Sequence, residues 1–148
     1  MKKALVAIDQ SDFSQDLIAF SFNYAKSMDI DQLDFIHVMT YQDMNIPGYM
    51  DYSARLDEEK IKKDIAGMIG KGLSESGINS IPYELIITAG TPYAEIVETA
   101  ERNSYELILI GHRGLSNVER FFIGSVAAKV ARHAPCDVLV HRPKNVGE

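Results

Sequence analysis

The sequence is poor in cysteine, tryptophan and long apolar runs. Among its 148 residues, Cys136 is the single cysteine, so no disulfide can form within the chain, and we expect a reducing, cytoplasmic compartment. No apolar run approaches the roughly 18 residues that a membrane-spanning helix needs, so no membrane partner is expected. The apolar segment before Asp9 is too short for a signal peptide, and it is interpreted as a first strand.

Excess positive charge is also lacking. The chain has 21 acidic and 15 basic residues, a formal net charge of −6, which argues against nucleic acid as a partner because phosphate backbones are bound by surplus Lys and Arg. Residues 111–133 depart from this balance, with four basic residues and one acidic residue. Such a basic segment favours a small anionic ligand, although a chance fluctuation on a solvated surface is an alternative explanation.

Short apolar runs alternate with segments of helical periodicity, and no repeat or low-complexity tract interrupts them. The predicted strands are residues 3–8, 32–38, 82–88, 106–110 and 137–141. Helices are predicted after Ser11 or Asp12, around an apolar stripe at 61–73, after Thr91-Pro92, and around 126–131, while residues 40–51 are predicted to form a loop. This alternation predicts an α/β fold: one domain over residues 1–148, with a five-stranded parallel sheet doubly wound by helices.

Residues that could border a ligand site lie at the carboxyl ends of three predicted strands. Asp9 follows the first strand, Val38 ends the second, and Gly111 follows the fourth. In doubly wound sheets, ligands bind beyond these strand ends, where the strand order reverses. We therefore expect these residues on one rim of the sheet.

The stretch "GHRGLSNVERFFIGS", residues 111–125, has the composition of a phosphate-binding loop. Gly111 and Gly114 allow close approach of the backbone to a ligand, and Gly124 with Ser125 opens the last helix, whose first amides favour an anion. Taken singly, these glycines are more easily explained by turns and a helix cap. The Walker A pattern is absent, as is a G-x-G-x-x-G after the first strand.

The histidines indicate no catalytic or metal chemistry of their own. His112 has no identifiable carboxylate partner, and His133 and His141 lack the spacing of zinc ligands. His37 lies within a strand pattern and is interpreted as a hydrogen-bonded interior or edge residue. Cys136 is interpreted as a small apolar residue, and a redox role is the minor alternative.

The spacing of glycine, two residues, glycine, nine residues, glycine and serine resembles the nucleotide-binding motif of the ATP-binding branch of the universal stress protein family. Four other stretches are similar to the family: "ALVAIDQSD" to its opening strand, "DFIHV" to its second strand, "AGTPYAEIVETA" to its Gly-x-Pro segment, and "SVAAKVARHAPCDVLVHRP" to its closing helix and strand. The resemblance covers essentially the whole chain. It implies the Rossmann-like fold of the adenine nucleotide alpha hydrolases, in agreement with the periodicity.

The resemblance also implies a nucleotide site and a stress-response function. The implied cofactor is ATP, with Mg²⁺ accompanying it; Asp9 would contact the ribose or base edge. The implied cofactor-binding residues are Ala7, Ile8, Asp9, Val38, Gly111, Arg113, Gly114, Gly124, Ser125 and Val126. The sequence departs from the family at His112, where serine is more usual, at Asp137, where proline or another uncharged residue is common, and at Ala7, which is often proline.

The last strand carries the expected oligomer contact. In the family this strand pairs antiparallel with its copy, which implies a homodimer centred on Val138, Leu139 and Val140. Exposed sheet edges are usually paired or protected, and cover by the C-terminal tail is the alternative.

Several functions stay open beside a nucleotide-dependent stress-response module. The same scaffold would support a weak ATPase or an autophosphorylating enzyme, with Ser125 or another loop hydroxyl as acceptor. A dimeric interaction protein without nucleotide is a further alternative, which the intact glycine motif disfavours. A phospho-acceptor receiver domain would need an acidic cluster, and Asp9 alone does not supply one.

Overall fold

The computed structural model describes residues 1–40, 52–112 and 123–143, with only the backbone described for residues 52–57. The strands in these ranges are β1 Lys3–Ala7, β2 Gln32–Met39, β3 Leu85–Ala89, β4 Leu107–Gly111 and β5 Asp137–His141. The helices are α1 Asp12–Ser27, α2 Tyr52–Ser76, α3 Pro92–Arg102 and α4 Ser125–His133. Of the predicted loop over residues 40–51, residues 41–51 lie outside the described residues.

The five strands form one parallel sheet in the order β3-β2-β1-β4-β5. The chain moves outward from β1 to β3 and then returns to place β4 on the other side of β1, so the strand order reverses between β1 and β4. Helices α1 and α2 pack together, as do α3 and α4. The predicted doubly wound parallel sheet is confirmed.

Alternating side chains of the buried strands supply two apolar layers. In β1, Ala4 and Val6 pack in the layer that includes helix α1, whereas Leu5 and Ala7 pack with α3 and α4. All four residues are buried, which is why the strand has an almost continuous apolar sequence instead of an alternating one. Helices therefore cover both faces of the sheet, so a ligand site is expected at its rims.

Strand β3 begins three residues later than predicted, because the backbone amide just before it is hydrogen-bonded to a side chain and not to the neighbouring strand. Residue 82 was the expected start, and its carbonyl does accept a hydrogen bond from the Leu33 amide at 3.0 Å. The Glu84 amide, however, donates to Asp34 Oδ1 at 2.8 Å instead of to a β2 carbonyl. Regular pairing with β2 therefore starts only at Leu85.

The predicted helix starts are confirmed in position. Ser11 is the N-cap of α1, and its side chain accepts a hydrogen bond from the Ser14 amide. Thr91 occupies the N-cap of α3 with a proline following it, but its side chain makes no capping hydrogen bond. Within the described ranges, no helix combines the length and the apolar character needed to cross a membrane.

Helices α1 and α2 approach each other closely at Gly72. A Cβ atom added there would meet the Cβ of Ile18 at 3.0 Å and the backbone nitrogen of Ala19 at 3.2 Å. Ile18 is fully buried, so its side chain cannot move away without displacing its neighbours. We expect Gly72→Ala to lower the free energy of unfolding by about 1–3 kcal/mol, because overpacking outweighs the gain in helix propensity.

Two glycines of the same helix provide matched controls for urea unfolding. A Cβ at Gly67 or Gly70 would meet nothing within 4 Å. Alanine at either position is expected to raise the free energy of unfolding by about 0.5–1 kcal/mol, since only the propensity term acts. The same sign of change at all three positions would contradict the packing explanation.

Candidate functional site

The residues predicted to share a rim do so at the point of strand reversal. Strands β1 and β4 are neighbours, with Ala7 opposite Ile110. Asp9 therefore follows β1 close to where Gly111 ends β4, and Val38 lies near the end of β2 on the other side of β1. This is the crevice in which open α/β sheets bind ligands.

The glycine-rich segment leaves the sheet and returns to the same place. The His112 amide donates to the His141 carbonyl at 2.7 Å, and the Gly124 amide donates to the His112 carbonyl at 2.8 Å. One residue thus joins the end of β5 to the start of α4. Arg113 and Gly114 lie outside the described residues, but both ends of the segment that carries them are fixed beside β4.

The start of α4 offers backbone donors to this crevice. Gly124 is the N-cap, with φ −63° and ψ 155°, and no side chain caps the helix. The first intrahelical bond runs from the Ala128 amide to the Gly124 carbonyl, so the amides of Ser125 and Val126 have no partner within the helix. Any residue can adopt the Gly124 conformation, so backbone strain does not require glycine here.

Two of the four basic residues of segment 111–133 lie in the described ranges. Lys129 lies over the ring of Tyr93, 5.2 Å from its centroid, and Arg132 is in the last turn of α4. Arg132 therefore lies at the helix end opposite Gly124, where a cation complements the helix dipole. Arg113 and Arg120, the other two basic residues, lie outside the described ranges.

Asp9 is held in a local hydrogen-bond network at the start of α1. Its Oδ1 accepts hydrogen bonds from the Ser11 amide and the Ser14 hydroxyl, each at 2.9 Å. Its own amide donates to Ser14 Oγ at 2.8 Å. Asp9 is half-buried, whereas both serines are buried. The carboxylate consequently supports the start of the helix.

The backbone beside Asp9 is fixed by His37. The Ile8 amide donates to the Ile36 carbonyl at 3.0 Å, and His37 Nδ1 donates to the Ile8 carbonyl at the same distance. The predicted interior hydrogen bond of His37 is thus confirmed. The amide and the carbonyl of Ile8 are therefore both hydrogen-bonded within the protein.

Sequence reasoning missed a second contact that holds this rim together. His141 Nε2 lies 2.7 Å from Asp16 Oδ2, and its ring stacks on Phe20 with centroids 4.0 Å apart. Both partners are on α1, so the side chain of His141 joins β5 to that helix while its carbonyl holds His112. No sequence signal points to a pair that is 125 residues apart.

Cys136 has the surroundings of an unreactive thiol. It packs against the apolar layer beneath α3 and α4, and burial, followed by the charge of Asp137, raises its pKa. A raised pKa disfavours the reactive thiolate. Across the ranges that the structure describes, no group of three or more His, Cys, Asp or Glu side chains is arranged to hold a metal ion.

Comparison with known proteins supports the resemblance along the chain. A putative universal stress protein of Staphylococcus epidermidis is 32% identical and covers 99% of this chain and 87% of its own length. A universal stress protein structure from Lactobacillus plantarum superimposes with a TM-score of 0.70 at 23% identity, covering 95% of this chain and 97% of its own. An Arabidopsis thaliana family member with AMP bound gives a TM-score of 0.62 at 20% identity, covering 98% and 94% of the two chains.

The family comparison matches almost the full length. The model of the universal stress protein family matches residues 1–142, which include all five strands and both ends of the glycine-rich segment. On the strength of this match and of the observed sheet order, the chain belongs to the universal stress protein family.

Proposed function

We propose that this protein is a cytoplasmic, ATP-binding universal stress protein whose nucleotide occupancy changes its conformation or its partners. The observation that carries the proposal is the closure of the glycine-rich segment, in which the Gly124 amide bonds the His112 carbonyl at 2.8 Å beside the end of β4. This closure holds both ends of the segment beside one crevice, at the strand ends that Asp9 follows. A polyphosphate placed there would meet the amides of Ser125 and Val126 at the start of α4.

The choice of an adenine nucleotide is supported by solved structures of the same fold. Besides the AMP complex, other structures similar to this chain are complexes with cAMP and with dAMP. These ligands share an adenine base and a phosphorylated sugar. The triphosphate is supported by the spacing of Gly111, Gly114, Gly124 and Ser125, and Mg²⁺ would accompany the phosphates as it commonly does.

Each part of the nucleotide has a proposed contact. The backbone at Ala7 and Val38, both buried at strand ends, would border the adenine, and Asp9 would accept a hydrogen bond from the ribose. Ile8, between the Ala7 and Asp9 contacts, would shape the strand end. The phosphates would lie against the other six residues of the set, which are Gly111, Arg113, Gly114, Gly124, Ser125 and Val126. Main-chain amides bind charge without transferring a proton, which favours binding over turnover as the function.

The proposal is tested by identifying what the purified protein carries. We expect mass spectrometry of the supernatant after denaturation to detect ATP in amounts approaching one per chain. Protein stripped of nucleotide should rebind ATP in calorimetry. Rapid release of ADP with a steep Mg²⁺ dependence would instead favour the ATPase alternative, and absence of both retention and rebinding would contradict the proposal.

The homodimer is proposed through β5. Within the described residues, this strand pairs only with β4, and Val138, Leu139 and Val140 are half-buried. The His141 carbonyl accepts a bond from the β4 side, so the backbone groups of residues 139 and 141 face β4 while those of 138 and 140 face outward. A second copy of β5 would satisfy the outward groups.

A pair of proline variants tests the dimer by light scattering. Val138→Pro removes an outward donor without removing a bond to β4, so we expect a folded monomer of 16.5 kDa where the wild type has twice that mass. Leu139→Pro removes a donor that faces β4 and is expected to destabilise the fold instead. A monomeric wild type at micromolar concentration would contradict the dimer.

A further inference from the structure

We propose that Ser14 is a positioning residue for the nucleotide, because it fixes the orientation of the Asp9 carboxylate toward the ribose. This inference rests on the proposed function of the site. It assigns to Ser14, a buried residue in the first turn of α1, a role in ligand selection beyond its contribution to the helix start.

Two reciprocal hydrogen bonds join the two residues. The Asp9 amide donates to Ser14 Oγ at 2.8 Å, and the Ser14 hydroxyl donates to Asp9 Oδ1 at 2.9 Å. A hydroxyl has a single proton, so the direction of this network is fixed: Ser14 gives its proton to the carboxylate and receives one from the backbone. Rotation of the Asp9 side chain would break the second bond, so the carboxylate is held in one orientation.

Ser14 is itself anchored, which makes it an effective support. Its amide donates to Ser11 Oγ at 3.2 Å and lies 3.1 Å from the Ser11 carbonyl oxygen. The Ser11 amide in turn donates to Asp9 Oδ1 at 2.9 Å. Two of the hydrogen bonds that orient Asp9 therefore come from the start of α1, a rigid element.

The carboxylate that Ser14 orients is a hydrogen-bond acceptor. Its Oδ1 accepts the bonds from Ser11 and Ser14. A carboxylate has acceptor lone pairs on both oxygens, so it favours a ligand that donates a hydroxyl proton. A 2′-deoxy nucleotide still has its 3′ hydroxyl, so only a sugar without both hydroxyls removes the donor completely. Ser14 should therefore matter for ATP and not for 2′,3′-dideoxy-ATP.

The test compares Ser14→Ala with Ser21→Ala in calorimetric titrations of both nucleotides. Ser21 is fully buried on the same helix, and its hydroxyl bonds the Ile18 carbonyl at 2.7 Å, so its removal is a matched loss of one buried hydroxyl. We expect Ser14→Ala to weaken ATP binding about tenfold, as for loss of a hydrogen bond to a charged group, and to change dideoxy-ATP binding less than about twofold. Ser21→Ala should change neither.

A double variant separates positioning from general stability. In an Asp9→Ala background, Ser14→Ala should cause no additional loss of ATP affinity, because the group it positions is gone. An equal loss for ATP and dideoxy-ATP, an additive loss in the double variant, or no loss at all would overturn the positioning role while leaving nucleotide binding intact. A wild-type chain that binds neither nucleotide would overturn the proposed function and this role together.

Discussion

Gly124→Leu is expected to lower ATP affinity by at least roughly a hundredfold, or about 2.7 kcal/mol, while the protein stays folded. The side chain would enter the space through which phosphate oxygens approach the amides at the start of α4. Because Gly124 has φ −63° and ψ 155°, leucine can adopt its conformation without backbone strain. Calorimetry with ATP measures the loss, and far-UV circular dichroism checks the fold.

Gly70→Leu is the matched control for this variant. A Cβ at Gly70 would meet nothing within 4 Å, and the residue is exposed on α2. We expect ATP affinity equal to that of the wild type. If Gly124→Leu bound ATP as tightly as this control, the phosphate contacts would have to lie elsewhere.

Asp34→Ala is expected to lower the free energy of unfolding by about 3–5 kcal/mol, the largest stability effect that we anticipate. Asp34 is 2% exposed and accepts hydrogen bonds from Tyr105 Oη at 2.6 Å, the Glu84 amide at 2.8 Å and Gln32 Nε2 at 2.9 Å. Alanine would leave these donors without their acceptor in a poorly hydrated place. Urea unfolding measures the change, and a loss below about 1 kcal/mol would contradict this role.

Tyr105→Phe tests the same network from its other side. Burial, followed by the hydrogen bond and charge of Asp34, raises the pKa of Tyr105 above its usual value of about 10. A raised native pKa means that the unfolded tyrosine loses its proton first, so stability is full below pH 10 and falls as the pH rises above it. We expect Tyr105→Phe to reduce this alkaline loss of stability and to cost about 1–3 kcal/mol at neutral pH.

Sequence patterns predict an element well when its capping residues and its apolar pattern indicate the same boundaries. Strand β5 was predicted at residues 137–141 and is found there, and Ser11 caps α1 as expected. The start of β3 differs because the Asp34 carboxylate takes the Glu84 amide. Such a competition between a side chain and a backbone carbonyl depends on tertiary geometry, which apolar periodicity does not reveal.

For the candidate site too, the sequence predicted the local features but not the tertiary contacts. Its location followed from strand ends and glycine spacing, which are local features governed by general rules of sheet topology. The contacts that stiffen it link distant segments: His141 with Asp16, and His37 with Ile8. The sequence spacing of these residues carries no signature, so only the folded chain reveals them.

A crystal structure of the protein grown with ATP tests the central claim most directly. We predict phosphate oxygens within hydrogen-bond distance of the amides of Ser125 and Val126, and a ribose hydroxyl against Asp9. A triphosphate bound elsewhere, or a crevice that stays empty at saturating ATP, would contradict the account.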